Sequence, residues 1–134
     1  MCREHVNVRL LKQLNLQDLS GCANLFAEDF VWHFCNPKLP TIQGEYHGVA
    51  GLMEFFAKMT AITHGTFGVQ PQSISAYGDE LVVTHVIDRL TIDEESIETD
   101  AIVVWRIVDE HILEAWDIPA VHAVNPTKQT SGAV

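Results

Sequence analysis

The residues best suited by type to move protons in this chain are two aspartates and a histidine. Asp117 sits in HILEAWDIPAV (111–121), where Ile112, Leu113, Ala115, Trp116 and Ile118 surround Glu114 and Asp117, and Pro119 ends the stretch. An aspartate in an apolar pocket has a costly charged form, so its pKa rises and it becomes a better base near neutral pH. Asp88 lies in LVVTHVIDRLTI and His33 in DFVWHFC. An imidazole titrating near neutrality suits an enol or enolate intermediate. Each residue also has a plainer reading: an aspartate facing water, an aspartate solvated near a strand end, a satisfied histidine on a strand. The elements that carry them decide between the two.

Residues 5–16 place Val6, Val8, Leu10, Leu11, Leu14 and Leu16 at a spacing closer to helix than to strand, and 17–24 can form a second short helix. DFVWHFC (29–35) reads as a buried strand broken by Asn36-Pro37, followed by a loop to Gly48. GVAGLMEFFAKMTAI is an amphipathic helix closed near His64-Gly65. Long strands follow at 67–76, 81–92, 98–108 and 111–118. Helices first and then a meander of antiparallel strands predict an α+β domain with the helices covering one sheet face. The domain is expected over 1–124, with 125–134 as a small, polar, mobile tail.

Strand pairing gives the direction of each side chain, because cross-strand partners share a face and neighbours alternate. Centring the DEES turn between Glu94 and Glu95 sets Asp88 opposite Ala101 and Val86 opposite Val103. Centring the last turn on Glu110 sets Trp105 opposite Ala115 and Val103 opposite Asp117. Thr84, Val86, Asp88, Ala101, Val103, Trp105, Leu113, Ala115 and Asp117 then share an inward face. His85, Ile87, Arg89, Ile102, Val104, Arg106, Glu114 and Trp116 share the other, which holds both arginines and Glu114. A two-residue turn at Asp109-Glu110 would instead send Asp117 outward beside Arg106, since a one-residue slip exchanges the faces. Two strands separate Asp88 from Asp117, about 10 Å on a flat sheet, a span that suits two acids flanking a small substrate. On the first strand, either His33 or the pair Trp32 and Phe34 enters the interior.

Composition narrows the field. At 134 residues the chain suits one domain with a single core, and 47% hydrophobic with 19% charged residues fits a globular protein. A net charge of −10, from 18 acids against 8 bases, opposes a phosphate backbone, so nucleic acid is not an expected partner. No apolar run is long enough to span a bilayer, and the first residues lack the apolar core of a secretory signal. Three cysteines (Cys2, Cys22, Cys35) without CxxC spacing suit a reducing compartment, and the cytoplasm is expected. The 7 histidines form no HxH or HExxH pattern, and phosphate-binding glycine loops are lacking, so neither metal nor cofactor is expected. Apolar residues on the outward face, Ile87, Ile102, Val104 and Trp116, point to a homodimer packed through it.

The order of elements, with DFVWHF, GEYHGVAGLMEFF and VVWRIVDEHILEAWDI, resembles the nuclear transport factor 2-like superfamily over residues 5–122. Its SnoaL-like cyclase and limonene-epoxide-hydrolase branches are the nearest in pattern. Glu110-His111 stands where Gly-Lys is usual. The resemblance implies a cone-shaped, curved, largely antiparallel (mixed) sheet packed against N-terminal helices around one apolar pocket, and it places Asp117 at the pocket acid of the epoxide-hydrolase branch. Ketosteroid isomerase, of the same fold, uses one aspartate as base and another, protonated, as donor. The epoxide-hydrolase arginine falls on Val86, and its water-holding Tyr and Asn fall on Trp32 and Phe34. The expectation is therefore a small cofactor-independent enzyme performing isomerisation, cyclisation or dehydration on a small apolar or polycyclic ligand. Asp117 would be the base, Asp88 or His33 the assisting acid, and Trp32, Phe34, Phe56 and Trp105 the walls. A non-catalytic binding module and an epoxide hydrolase with a modified water site are the alternatives.

Overall fold

The computed structural model describes residues 4–122 and 125–126. Strands β1 (Phe26–Phe34), β2 (Gly44–His47), β3 (Gly68–Tyr77), β4 (Leu81–Ile92), β5 (Glu95–Val108) and β6 (His111–Pro119) form one curved, unclosed sheet in the order β2-β1-β6-β5-β4-β3. Pairing is antiparallel except between β1 and β6, which run parallel, so the sheet is mixed. A two-residue strand β7, Asn125–Pro126, pairs with Ile97 and Glu98 of β5. The first two residues of the expected tail thus belong to the sheet, while 127–134 lie outside the described residues. No described helix is long and apolar enough to cross a membrane.

Two helices flank the sheet, α1 (Val6–Leu11) and α2 (Gly48–Ile62). The first is shorter than its apolar spacing predicts. The Asn15 side chain takes the backbone N–H of Gln17, a turn that competes with further helix. Leu19–Leu25 is a 3-10 stretch capped by Asp18, whose carboxylate accepts the Gly21 N–H. α2 buries Leu52, Phe55 and Met59, one stripe at helical spacing, against the sheet. Its start explains two glycines. Gly48 has φ +72, and a Cβ on Gly51 would come within 3.0 Å of the Tyr46 carbonyl carbon. β2, read as loop, is too short and too polar to show alternation, yet it pairs Tyr46 with Trp32.

The hairpins hold the main correction to the expected register. β4 and β5 are joined by a two-residue turn, Asp93-Glu94, so Asp88 faces Thr99 and Val86 faces Ala101. This is two residues from the expected pairing, an even shift that leaves every side chain on its expected face. The β5–β6 connection is also a two-residue turn, Asp109-Glu110, the register that should have turned Asp117 outward. It does not, because the pairing slips between Arg106↔Glu114 and Ile107↔Ile112, leaving Leu113 as an extra residue in β6. This bulge restores Trp105↔Ala115 and Val103↔Asp117. It also moves Ile112, fully buried, into the core, and leaves Leu113 half-buried rather than in the inward set.

Both turns place acidic residues at positive φ: Asp93 at 52°, Glu94 at 68°, Asp109 at 51° and Glu110 at 64°. That is the backbone of a two-residue hairpin turn, where Asn-Gly is preferred because only glycine enters this region without Cβ crowding. Replacing Asp109-Glu110 by Asn-Gly should stabilise the fold by up to about 1 kcal/mol. The denaturant midpoint should rise with an unchanged slope, and a lowered midpoint would contradict the left-handed turn.

Candidate active site

Val103 lies four positions after Thr99 on β5, and these two are the partners of Asp117 and Asp88. The aspartates are therefore offset along the strands as well as across two of them, a diagonal of roughly 16 Å on a flat sheet. Curvature brings them into one cavity of about 260 Å³, whose lining includes both carboxylates. Its walls come from four directions. β4 and β5 give Leu90, Ile92, Ile97 and Thr99, α2 gives Phe55 and Met59, and Phe67 lies just before β3. The ends of β1 and β6 give Phe34, Asn36, Lys38, Pro119 and Val121.

Asp88 and Asp117 are each only 8% exposed, and among the described residues neither carboxylate has a hydrogen-bond or ion-pair partner. Desolvation alone pushes Asp88 up to about 7. Asp117 is pushed well above the usual carboxylate range, first by burial and then by the charge of Asp88. Two carboxyls in one apolar cavity resist ionising together, so the pair favours states in which at least one keeps its proton. Such a pair can accept a proton and donate a hydrogen bond within one site.

The expected site residues divide cleanly. Phe34 lines the cavity with the two acids. Trp32 and Trp105 are buried and lie inward, but behind it. Trp32 packs against Phe55 at 5.5 Å, Trp105 at 5.8 Å and Phe56 at 6.3 Å between ring centroids, and Phe56 continues the row to Phe67. They form an aromatic wall rather than the lining of this cavity. The Trp32 indole N–H is buried without an acceptor, at a cost of ~1–3 kcal/mol. The Trp105 N–H donates to Thr84 Oγ1 at 3.1 Å.

His33 lies apart from the two aspartates. Trp32 and Phe34 take the inner face, so alternation sends His33 outward, where Nε2 lies 2.7 Å from Glu114 Oε2 and the ring stacks on Trp116 at 5.2 Å. It shares no cavity with the aspartates. Arg106 joins the same outer cluster, 5.5 Å above Trp116 and 3.6 Å from Glu114. Arg89 is likewise outward, paired with Glu98 at 2.8 Å. Cys35 is exposed, and partial burial of its thiol together with Asp117's charge raises its pKa, the opposite of activation. Among the described residues no three His, Cys, Asp or Glu side chains cluster as metal ligands.

Asn36 and Lys38 were missed because Asn36-Pro37 reads as a strand break. Asn36 is 7% exposed, and its Oδ1 accepts the Lys38 N–H at 3.0 Å. The Asn36 amide N–H₂ has no acceptor among the described residues and lies on the cavity wall. Its signal was present: it lies two positions beyond inward Phe34, and alternation continues through it.

Comparison with known proteins agrees with this architecture. The model of the SnoaL-like domain family matches residues 8–115. Among solved structures, IdmH, a proposed polyketide cyclase from Streptomyces antibioticus, superposes with a TM-score of 0.68 at 21% identity, covering 96% of this chain and 100% of that one. A cystatin-like protein of unknown function from Xanthomonas campestris gives 0.68 at 18% identity, covering 86% and 89% of the two chains. TerC, co-crystallised with polyporic acid, gives 0.67 at 19% identity, covering 79% and 82%. Among curated protein sequences none matches. At these identities the structures speak for the fold, and the family match covers most of the chain: the protein belongs to the SnoaL-like domain family.

Proposed function

We propose that this protein is a small cofactor-independent enzyme that moves protons on an apolar, carbonyl-bearing ligand, in an isomerisation, an aldol-type cyclisation or a dehydration. The observation that carries this reading is the pair of partnerless, desolvated carboxyls in one apolar cavity. Asp117 takes the proton from carbon next to the carbonyl, in the state where the shared proton of the pair sits on Asp88. The enolate oxygen is held by the Asp88 carboxylic acid and the Asn36 amide, both donors. Returning the proton to a different carbon completes an isomerisation, and attack of the enolate carbon on a second carbonyl, whose oxygen takes the proton back from Asp117, completes a cyclisation. Apolar walls exclude water and keep the base from being solvated. IdmH and TerC support a polyketide-like or other carbocyclic ligand, as the kind of molecule suggested for proteins of this fold.

Epoxide hydrolysis gains no support. Val86 stands where that branch carries its arginine, and Arg89 is engaged outside. Wild-type protein should accelerate exchange of the α-protons of a small apolar 1,3-diketone in deuterated water, followed by NMR, and Asp117→Asn should return it to the rate in buffer alone. Exchange at the wild-type rate would end the assignment of Asp117 as base.

The partner proposed is a second copy of the chain. Ile102 and Ile118 are 36% and 47% exposed on the outer sheet face, beside the His33–Trp116–Arg106 stack. The acidic charge argues against nucleic acid, and unpaired Cys22 and Cys35 fit the cytoplasm. Sedimentation at micromolar concentration should give twice the chain mass, and Ile102→Glu with Ile118→Glu should give the chain mass. A wild-type monomer would refute the dimer.

The pKa directions fix the sign of a stability change. A carboxyl whose folded pKa is raised binds its proton more tightly in the folded state. Its stability is full below the unfolded value near 3.8 and falls as pH rises toward the folded value, about 7 for Asp88. Asp117→Asn removes the ionisable group while keeping its shape. The mutant should match the wild type near pH 4 and exceed it increasingly up to pH 7.5, by up to ~1.4 kcal/mol per pH unit. Denaturant unfolding at the two pH values checks this. A mutant less stable at pH 7.5 would mean a carboxylate held by hydrogen bonds rather than desolvated.

A further inference from the structure

A second recess lies on the same inner face of the sheet. It measures about 410 Å³ and sits between the end of α1 with the segment after it (Leu11, Leu14, Leu16) and the strands β3, β4 and β5 (Ile74, Val86, Trp105). β4 connects the two spaces. Its inward side chains run Thr84 and Val86 in the second recess, then Asp88, Leu90 and Ile92 in the first. Val86 and Asp88 are consecutive on that face, roughly 6.7 Å apart along the strand. What divides the spaces is the aromatic row. Trp32 lies against Phe55 of the first cavity and Trp105 of the second. Phe56, only half-buried, lies beside it.

Two observations point to a ligand here. The first cavity holds about nine water-sized groups, a single substituted ring. That is below the roughly 300–1,000 Å³ of ordinary ligand pockets, a range the second recess, at about 410 Å³, already enters. The dividing wall also contains a fully buried side-chain polar atom without a partner among the described residues, Trp32 Nε1.

We propose that the second recess is a subsite for the non-reacting, apolar arm of an elongated ligand. Its head lies at Asp88 and Asp117, and an oxygen where the arm crosses the wall accepts the Trp32 N–H. Rotation of Phe56 opens the passage. The ligand class is a ring bearing an apolar extension with a mid-chain carbonyl, ether or hydroxyl oxygen. This rests on the two aspartates being the head-group site, though not on their catalysing anything.

The test uses 4-n-alkylphenols from ethyl to octyl, with affinity measured by titration calorimetry on the full chain. In the wild type each methylene should raise affinity about three- to fourfold, continuing beyond propyl, where the first cavity is full. Leu14→Trp and, separately, Leu16→Trp fill the second recess from a half-buried turn. Both should leave 4-ethylphenol binding unchanged and flatten the series beyond propyl. Replacing a mid-chain methylene by an ether oxygen should cost several-fold more affinity in Trp32→Phe than in the wild type. A wild-type series that flattens at propyl, or one that climbs equally in both tryptophan variants, overturns the subsite. An ether penalty unaffected by Trp32→Phe overturns the role of the indole. The series is repeated in Asp117→Asn. A gradient that persists there, in a protein that even as wild type does not accelerate diketone exchange over buffer, keeps the subsite and rejects the enzymatic reading alone.

Discussion

The site depends on one extra residue in β6. A two-residue turn between β5 and β6, continued without interruption, would present Glu114 and Trp116 to the interior and Asp117 to water. Leu113 interrupts it, and from Glu114 onward the strand runs in the opposite phase. The same displacement drives Ile112 into the core opposite Ile107, both fully buried, so the bulge is anchored by packing on one side and releases a carboxylate on the other. The outer face depends on it as well. Glu114 reaches His33, and Trp116 lies between His33 and Arg106, only because their neighbours turned inward.

Placing two partnerless carboxyls inside a small domain is destabilising, and the surrounding core has to offset it. The fully buried Phe30, Leu52, Phe55, Ile107 and Ile112 form the apolar mass that does so. That mass is also what makes the acids reactive. The same exclusion of water that raises the cost of charge on Asp117 makes it a stronger base once charged. Stability and reactivity pull against each other at this position, and the pH at which the protein is most stable is not the pH at which the pair is half-ionised.

The fold was readable from the sequence because its signals were redundant. β4, β5 and β6 are long and alternate strongly, and α2 repeats its apolar stripe over four turns, so an error of two in one hairpin did not disturb the faces. Short elements lacked that redundancy. α1 ended at Leu11, ahead of the turn in which Asn15 accepts the Gln17 N–H, and β2 offered only Tyr46 as an inward apolar residue. At the site, Asp117, Asp88 and Phe34 were legible through alternation. The open choice on β1 fell against His33 because Trp32 and Phe34 bury far more apolar surface. Asn36 escaped notice because its turn propensity masked its phase. The inward position of Asp117 was reached through a turn geometry that the chain does not use, corrected by a bulge that no local pattern announces.

β3 is the long edge of an open sheet, exposed along most of its length, with a row of unpaired backbone groups on its free side. Such an edge is a template on which another strand can add, and in a crowded solution it invites uncontrolled association. Pro71 contributes no N–H to that row, and the register shift beside it, between Pro71 and Ser73, breaks its regular spacing. The edge is thereby blunted near its middle. An edge protected in this way needs no covering helix, so the sheet can end in the open with its inner hollow accessible from the side.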